Sequence, residues 1–424
     1  MKYIKIAAAT AAIALAATAC GGSDDKKDDS SAAKDPAQLK VWMMGEGTPE
    51  QTKFLDGVET DFKQKHPNTD VVVKYVPWPQ VAATFQKATA GGEGPDVTEV
   101  GNTDVQSHVA SGDFADISDE YGKWSDGSTL NKSALENDKS DGKVYGVPWY
   151  GGVRGIWYRK DWFTELNIAQ PKTWDELRAA AKKIQDAKKV PGIGAPSDQT
   201  NALVSFIWGN GGEVATKDGG KWVGKLDQPQ AKEAVEYYAG LVSKDKVAPT
   251  KYIGKNELQG PQQDFALGKL GMYIDGSWAL AQMKKISPKN AANWAVFPIP
   301  SKTGGNAPTM AGGSDLAVWK DSKAKSAAFD YITVLNDAKN AKAWADLSGF
   351  SSMRSDVKFS DPVLEPFTAI AGNTKFTPIS AGWAEFEQSK KVLPNALKAI
   401  MQGKSADGEL KKANEQANSL LNAS

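Results

Sequence analysis

Apolar and polar positions change their period several times along the first quarter of the chain. Short apolar runs, typical of buried strands, alternate with segments whose apolar residues recur every three or four positions, as on one face of a helix. This β-α-β-α-β order predicts a parallel sheet with helices on its faces. The predicted strands are 39–44, 70–76 and 95–101, and the predicted helices begin at Pro49 and at Val81.

The first predicted helix has a clear start in the sequence. Thr48 can act as its N-cap, Pro49 takes the first helical position, and Gln51 completes a capping box. In sheets of this kind, ligands bind beyond the carboxyl ends of the strands. The segments that follow the three strands, GEGT, PWPQ and GNTD, are therefore candidate site loops.

A similar alternation restarts after residues 143–163, with a second capping box predicted from Thr173 and Glu176. No internal repeat or long proline linker separates the two halves. We therefore predict an α/β fold of two lobes that are joined by several chain crossings, not two domains in series. The further predicted elements are helices near 201–208 and 230–242, a helix, strand, tight turn and helix over 264–283, and a strand at 314–319.

The first 37 residues have a different pattern. Two lysines precede an apolar stretch of signal-peptide length, which is too short to span a bilayer as a helix. Cys20, the only cysteine of the chain, follows two small residues in a pattern that resembles the lipobox of bacterial lipoproteins. The next residues are small, polar and charged, as in a flexible tether. We expect a signal peptide at 1–19 and a lipidated Cys20 with its tether at 20–37; a plain cleaved signal is the alternative.

Composition narrows the choice of partners. The 424 residues carry 51 basic and 51 acidic side chains. A nucleic-acid partner would require an excess of basic residues, which this balance lacks. No second apolar run in the sequence approaches the length of a membrane span. The chain has 14 tryptophans, and an indole ring can lie flat against the apolar face of a sugar. No cofactor or metal is predicted, because His66 and His108, the only histidines, lie in no metal or triad motif.

Six segments in register resemble the family 1 extracellular solute-binding proteins of ABC sugar importers. They are PDV.E.GN, GKVYGVPWY…GIWYRKDWF, PKTWDEL, FALGKLGMYIDGSWAL, GGSDLAVW and GWAEFEQ. Within that family, VWMM, EVGNT and GGSDLAV are most similar to actinobacterial oligosaccharide-binding proteins of the chitobiose type.

The resemblance implies a periplasmic-binding-protein-like fold whose two α/β lobes close on a sugar or oligosaccharide. It implies a monomeric binding protein, not an enzyme, which delivers its ligand to the permease subunits of an ABC transporter. With the anchor, this places the protein on the outer face of the cell membrane. The implied N-terminal lobe is 38–148 plus 275–321, and the C-terminal lobe is 149–274 plus 322–424.

Polar residues after the predicted strands are the first site candidates. Glu46 follows the first strand, and Asn102 and Asp104 follow the third. Carboxylates and amides can bind sugar hydroxyls, and charge-assisted hydrogen bonds are the stronger kind. The alternative is that each of these side chains caps the next helix.

Aromatic and charged residues at the expected lobe crossings form the second group. Trp149, Tyr150 and Arg154 lie at the first expected crossing, with core packing as their alternative role. Asp275 and Trp278 lie at a second expected crossing, and Trp278 is the preferred residue for stacking on a sugar.

The last candidates lie nearer the C-terminus. In AGGSDL, the paired glycines let the backbone approach a ligand closely, so Gly313, Ser314 and Asp315 are predicted to line the site; a tight turn is the alternative. Trp383 and Glu385 are predicted to lie in a loop between C-terminal helices. They resemble the position from which the second lobe contributes an aromatic side chain.

Two other classes of protein stay open at this point. A secreted glycoside hydrolase needs two carboxyl groups, but 51 acidic residues supply such pairs by chance, so their presence decides nothing. A surface carbohydrate-binding adhesin fits the anchor but not the two-lobe pattern.

Overall fold

The computed structural model describes residues 35–423. The predicted signal peptide, Cys20 and all but the end of the tether therefore lie outside the described residues. The strands are β1 (Gln38–Met44), β2 (Asp70–Val76), β3 (Val97–Gly101), β4 (Lys139–Ser140), β5 (Lys143–Val144), β6 (Val147–Gly152), β7 (Arg154–Arg159), β8 (Ile193–Gly194), β9 (Ala215–Asp218), β10 (Lys221–Gly224), β11 (Met272–Gly276), β12 (Trp294–Phe297), β13 (Thr309–Met310), β14 (Gly312–Val318), β15 (Ser351–Ser352) and β16 (Thr374–Lys375).

Helices surround these strands, and none within residues 35–423 is both long and apolar enough to cross a membrane. A π-helical turn, Glu385–Ser389, precedes the last two helices. The α-helices are α1 (Pro49–Phe62), α2 (Val81–Gly91), α3 (Val105–Ala110), α4 (Ser118–Lys123), α5 (Lys132–Asn137), α6 (Lys160–Glu165), α7 (Trp174–Lys188), α8 (Thr200–Gly209), α9 (Pro229–Ser243), α10 (Pro261–Ala266), α11 (Ala279–Ile286), α12 (Lys325–Leu335), α13 (Ala338–Ser348), α14 (Glu365–Ala371), α15 (Val392–Met401) and α16 (Ala406–Leu420).

The two larger sheets are both mixed. The first has the order β15-β6-β14-β3-β1-β2, and the second has the order β12-β7-β11-β8. In the first sheet β1 runs parallel to both β2 and β3, which confirms the predicted parallel arrangement. Strand β14 lies antiparallel between β3 and β6.

The capping box predicted at the start of α1 forms completely, whereas only one of the two hydrogen bonds predicted at the start of α7 forms. At α1, the Gln51 backbone donates to the Thr48 hydroxyl at 3.3 Å and the Thr48 backbone donates to the Gln51 side chain at 3.0 Å. At α7, Thr173 accepts from the Glu176 backbone at 3.2 Å. The Glu176 carboxylate, however, accepts from the Lys172 backbone, so the predicted second capping box is wrong in its reciprocal half.

Each large sheet is covered on both faces by an apolar core. Alternate residues of β1 point to opposite faces, with Leu39 and Val41 in one core and Trp42 in another, as the two-residue period of a strand requires. In the second sheet, Ile156 and Trp157 of β7 divide between two further cores in the same way. Both halves are therefore three-layered α/β structures.

The chain passes between the two sheets within very few residues. Val153 alone separates β6 of the first sheet from β7 of the second. On the return, Ala311 alone separates β14 of the first sheet from β13, which pairs with β16 in a separate two-stranded sheet. The predicted crossing at Asp275 and Trp278 is wrong, because β11 is followed by β12 in the same second sheet. The return to the first sheet occurs only at Gly312.

Two segments pack against the opposite half from the one expected from the lobe bounds. Strand β12 pairs with β7 in the second sheet. Helices α12 and α13 contribute Tyr331 and Trp344 to the core of the first sheet. Both segments are held in these places by the burial of their apolar side chains. The lobe bounds themselves stay a prediction.

Candidate functional site

The loop after β3 reaches across to the other half of the molecule. Asp104 is buried at the start of α3, and its carboxylate accepts from the Gln388 amide at 2.9 and 3.1 Å. The hydroxyl of Ser107 donates to the Ala381 carbonyl at 2.5 Å. Asp104 makes no side-chain cap of its helix, so the capping alternative does not describe it. These contacts join the edge of the first sheet to the residues around the π-helical turn.

Asn102 is also buried, but it holds the backbone of the second crossing. Its amide nitrogen donates to the Ala311 carbonyl at 2.8 Å, and its backbone nitrogen donates to Gly313 at 3.1 Å. Gly313 has φ = +144°, and a Cβ there would lie 2.1 Å from the Tyr150 carbonyl oxygen. Gly313 is therefore required because its backbone packs closely against the neighbouring strand β6, and not against a ligand.

A buried polar network connects β1, β3, β6 and β14. The Tyr150 hydroxyl donates to Glu99 Oε1 at 2.5 Å and accepts from Ser314 at 2.9 Å, while Glu99 Oε2 accepts from the Met44 backbone at 2.7 Å. Burial raises the pKa of Glu99 to about 7, against the lowering effect of these hydrogen bonds. The network holds the carboxyl end of β1 in register with the crossing strands.

Asp315 is buried against a second carboxyl, that of Asp138. Both side chains are at most 1% exposed, and none of their four oxygens has a hydrogen-bond donor among the described residues. Burial raises the pKa of Asp315 to about 7 and that of Asp138 well above its ordinary value, with the two carboxyls also acting on each other. Asp315, which was predicted to contact the ligand, is therefore buried inside the first half of the molecule.

Arg154 is the centre of a polar group in the second half. Its Nη2 lies 3.3 Å from Glu257 Oε1, and its guanidinium carbon lies 5.0 Å from the centroid of the Trp278 ring. With its amide oriented to satisfy both neighbours, Asn201 accepts from Arg154 at 3.2 Å and donates to Glu387 at 3.0 Å. Within residues 35–423, Arg154 Nε has no hydrogen-bond partner, although the residue is only 8% exposed.

Glu387 connects this group to the first half. Its Oε2 accepts from the Trp383 indole nitrogen at 2.7 Å. Desolvation and the nearby charge of Asp104 raise the pKa of Glu387 to about 7, while the Trp383 hydrogen bond and Arg154 act in the opposite direction. We name Arg154, Asn201, Glu257, Asp275, Trp278 and Glu387 the Arg154 cluster.

Asp275 is the most deeply buried carboxyl of the cluster. Its Oδ1 accepts from the Gly276 backbone at 2.8 Å, and its Oδ2 lies 3.5 Å from the Gln262 amide nitrogen. Burial and the charge of Glu257 raise its pKa to about 8, and Arg154 partly offsets them. Asp275 is thus a weakly satisfied acid beside one guanidinium.

Trp278 is half-buried where the two halves meet. Its ring stacks on Phe350 at 4.9 Å and covers Gly152, where a Cβ would come within 2.8 Å of the indole. Phe350 in turn stacks on Tyr150 at 4.4 Å. The predicted stacking residue therefore lies between the first-sheet edge and the Arg154 cluster, with part of its surface open.

The other predicted aromatic residues are fully packed. Trp149 is 1% exposed and stacks on Trp344 at 4.7 Å. Trp383 is 0% exposed and packs against Phe386. Neither ring presents a face to a ligand in this structure. Core packing, the alternative for Trp149, describes its position, and Trp383 holds Glu387.

The two remaining predicted carboxylates are on the surface. Glu46 is exposed after β1. Glu385 is exposed and lies 3.6 Å from Lys390.

Several residues of the site were not predicted from the sequence. Glu99 could have been recognised as a lone carboxylate inside an otherwise buried strand. Trp78 is 46% exposed in the PWPQ segment and lies within 3.7 Å of the Cβ position of Gly101, at the carboxyl edge of the first sheet. Its exposure could not be read from the sequence. The other unpredicted residues are Asn201, Glu257, Phe350, Glu387 and Gln388.

A separate cavity of about 530 Å³ lies beside the crossing strands. It touches Gly151, Val153 and Gly312, and extends to Met353 and Phe376. None of the predicted ligand contacts lines it.

Two three-layered α/β halves are joined by crossing strands, and polar and aromatic side chains converge where the halves meet. This arrangement is typical of two-lobed binding proteins. Residues 45–342 match the family model of the bacterial extracellular solute-binding proteins. The chain belongs to that family. Membership confirms the predicted family and its non-enzymatic class.

Individual relatives agree with this assignment. The chain is 30% identical to the diacetylchitobiose-binding protein DasA of Streptomyces coelicolor, over 90% of this chain and 89% of the relative. A solute-binding protein of an ABC transporter from Thermotoga lettingae, bound to α-D-tagatose, superimposes with a TM-score of 0.79 at 21% identity, covering 91% of this chain and all of that one. Maltose-bound MalE3 of T. maritima gives the same TM-score at 22% identity, covering 91% and 100%. These structures confirm the predicted fold class.

Proposed function

We propose that this protein is the sugar-binding component of an ABC importer, and that it holds a sugar or oligosaccharide between its two halves. The observation that carries the proposal is the Arg154 cluster with the half-open ring of Trp278 at the junction of the halves. Sugar sites combine flat apolar surface with convergent polar groups. The bound ligands and names of the relatives described above support the same class.

Each part of the cluster has a role in this proposal. Trp278 covers one apolar sugar face, and the exposed ring of Trp78 offers a second surface at the edge of the first sheet. The carboxylates of Glu257 and Glu387 accept hydrogen bonds from hydroxyls, and Arg154 donates. Asp104 and Gln388, which come from opposite halves and are hydrogen-bonded to each other, border the site. We retain Asp104, Arg154, Asp275 and Trp278 from the predicted set and assign Asn102, Tyr150 and Gly313 to the framework beneath them.

Delivery to a permease requires the protein to remain at the cell surface. We propose that Cys20 is lipidated and that residues 21–37 form the tether. Two acyl chains hold a protein at a membrane stably, whereas one chain does so only marginally. The family's extracellular location supports this placement.

A ligand screen tests the proposed function. A ligand that binds only the folded protein raises its melting temperature. Thermal unfolding with neutral and amino-sugar mono- and oligosaccharides should identify a stabilising class, and mass spectrometry after overnight incubation should find that sugar unaltered. If no sugar shifts the unfolding temperature, sugar binding is refuted; if the sugar is cleaved, the binding-protein assignment is refuted.

A further inference from the structure

Hydrogen bonds join the two halves directly at the edge of the site. The Gln388 amide donates to both carboxylate oxygens of Asp104, at 3.1 and 2.9 Å. The Ser107 hydroxyl donates to the Ala381 carbonyl at 2.5 Å. These bonds connect protein groups to protein groups, so none of them needs a sugar in order to form. We name Asp104, Ser107, Ala381 and Gln388 the latch.

Each side of the latch is fixed to the core of its own half. On one side, Val105 of α3 packs in the apolar core that contains Trp42 of the first sheet. On the other side, Trp383 and Phe386 pack in the core that contains Ile156 of the second sheet. The latch therefore breaks when the halves separate and forms again when they close.

The residue next to the latch belongs to the proposed sugar site. Gln388 follows Glu387 in the π-helical turn, and such turns are frequent at functional sites. Glu387 accepts from the Trp383 indole nitrogen at 2.7 Å and is joined to Arg154 through Asn201. Consecutive residues of one turn thus contact the opposite half and the Arg154 cluster. The movement that closes the latch therefore also carries Glu387 toward the first half.

The strength of the latch suits a bias on an equilibrium and not a lock. Water replaces each hydrogen bond when the halves separate, so the net contribution of a bond is modest, although it is larger where the acceptor is charged. Asp104 is only 6% exposed when the latch is formed. Burial raises the pKa of Asp104, and the Gln388 hydrogen bond opposes that effect. The Gln388 amide therefore offsets part of the cost of burying this carboxyl between the halves.

Resting on the proposed function, we propose that the latch sets the sugar affinity by holding a fraction of the molecules closed before a sugar arrives. The apparent dissociation constant equals the intrinsic constant divided by the fraction of molecules in the binding-competent form. Breaking the latch lowers that fraction and weakens binding, even where every contact with the sugar is kept. Ser107 and Gln388 are thus positioning residues, which act without touching the sugar.

X-ray scattering of the mature chain without sugar tests the latch directly. Gln388→Ala and the double variant Ser107→Ala/Gln388→Ala should have a larger radius of gyration than the wild type, because more molecules are open. With saturating diacetylchitobiose as the probe, both should return to the wild-type value. Gln86→Ala, at an exposed glutamine of α2, should match the wild type throughout.

Two scattering results would overturn the proposal. One is an unchanged radius of gyration in both latch variants without sugar, once circular dichroism establishes that they are folded. The other is a radius that stays larger at saturation, because a shifted equilibrium is reversed by ligand whereas a damaged structure is not.

Calorimetric titration with diacetylchitobiose measures the effect on affinity. Gln388→Ala should bind at least about threefold more weakly than the wild type, and Gln86→Ala should bind equally well. Gln388→Lys, which offers an ammonium donor to the same carboxylate, should keep both the tight binding and the smaller radius. Wild-type affinity in folded Gln388→Ala overturns the proposal. The scattering without sugar does not depend on any ligand, so failure of the latch and failure of the proposed function are told apart.

Discussion

The buried carboxyls of Asp138 and Asp315 should make the folded protein less stable as the pH rises toward neutrality. Burial raises the pKa of Asp315 to about 7 and that of Asp138 well above its ordinary value. In the unfolded chain, an aspartate titrates near about 4. Between these values the folded protein retains protons that the unfolded chain has released, so the free energy of unfolding falls with increasing pH.

The magnitude follows from the width of that interval. One titrating group changes the free energy of unfolding by about 1.4 kcal/mol per pH unit. For Asp315 the interval is about three units wide, so the stability lost on reaching neutral pH is on the order of 4 kcal/mol. Asp315→Asn removes this titration and supplies an amide that can donate to Asp138.

Urea unfolding followed by tryptophan fluorescence measures the effect. The stability of Asp315→Asn relative to the wild type should improve by about 3 kcal/mol between about pH 5 and about pH 8. Asp138→Asn should behave in the same direction, and Asp218→Asn, at an exposed aspartate, should not. If the difference between wild type and Asp315→Asn is the same at both pH values, the assignment of a raised pKa to the buried Asp315 carboxyl is refuted.

Three further predictions concern the ligand, the motion and the anchor. Trp278→Ala should weaken sugar binding by at least about tenfold, about 1.4 kcal/mol, in calorimetric titrations, whereas Trp222→Ala in the β9–β10 hairpin should not; normal affinity in the folded variant would exclude Trp278 from the site. Saturating sugar should reduce the radius of gyration in X-ray scattering, because a site shared between two halves favours their closed arrangement; an unchanged curve would contradict a hinge. The Cys20→Ala variant should be lost from the membrane fraction, while its affinity for sugar stays the same. Full retention of the variant in that fraction would contradict the lipoprotein assignment.

Local patterns were sufficient to predict the elements of the first half. The apolar runs at 39–44 and 70–76 become β1 and β2 almost residue for residue, and the Thr48–Gln51 cap forms as predicted. These features depend on neighbours within a few residues, which a sequence displays directly. The position of Trp278 at the junction was also predicted, although the crossing assigned to it was wrong.

Long-range packing explains what the sequence could not reveal. Trp149 is a core residue because it stacks on Trp344, which is far away in the chain. Glu387 rather than Glu385 faces the site because residues 383–389 are helical, so that Trp383 and Glu387 fall on one side of that turn. The segment was expected to be a loop, in which no such spacing applies.

The order of strands in the first sheet has a consequence for the making of the protein. Strand β14 lies between β3 and β6, yet it follows the whole second sheet in the chain. The first half therefore has a gap at its centre until residue 318 is available, and loop closure over such a distance is slow. During synthesis the N-terminal segment must wait as an incomplete sheet. For a protein of an extracellular family, such a delay would favour an unfolded chain during export.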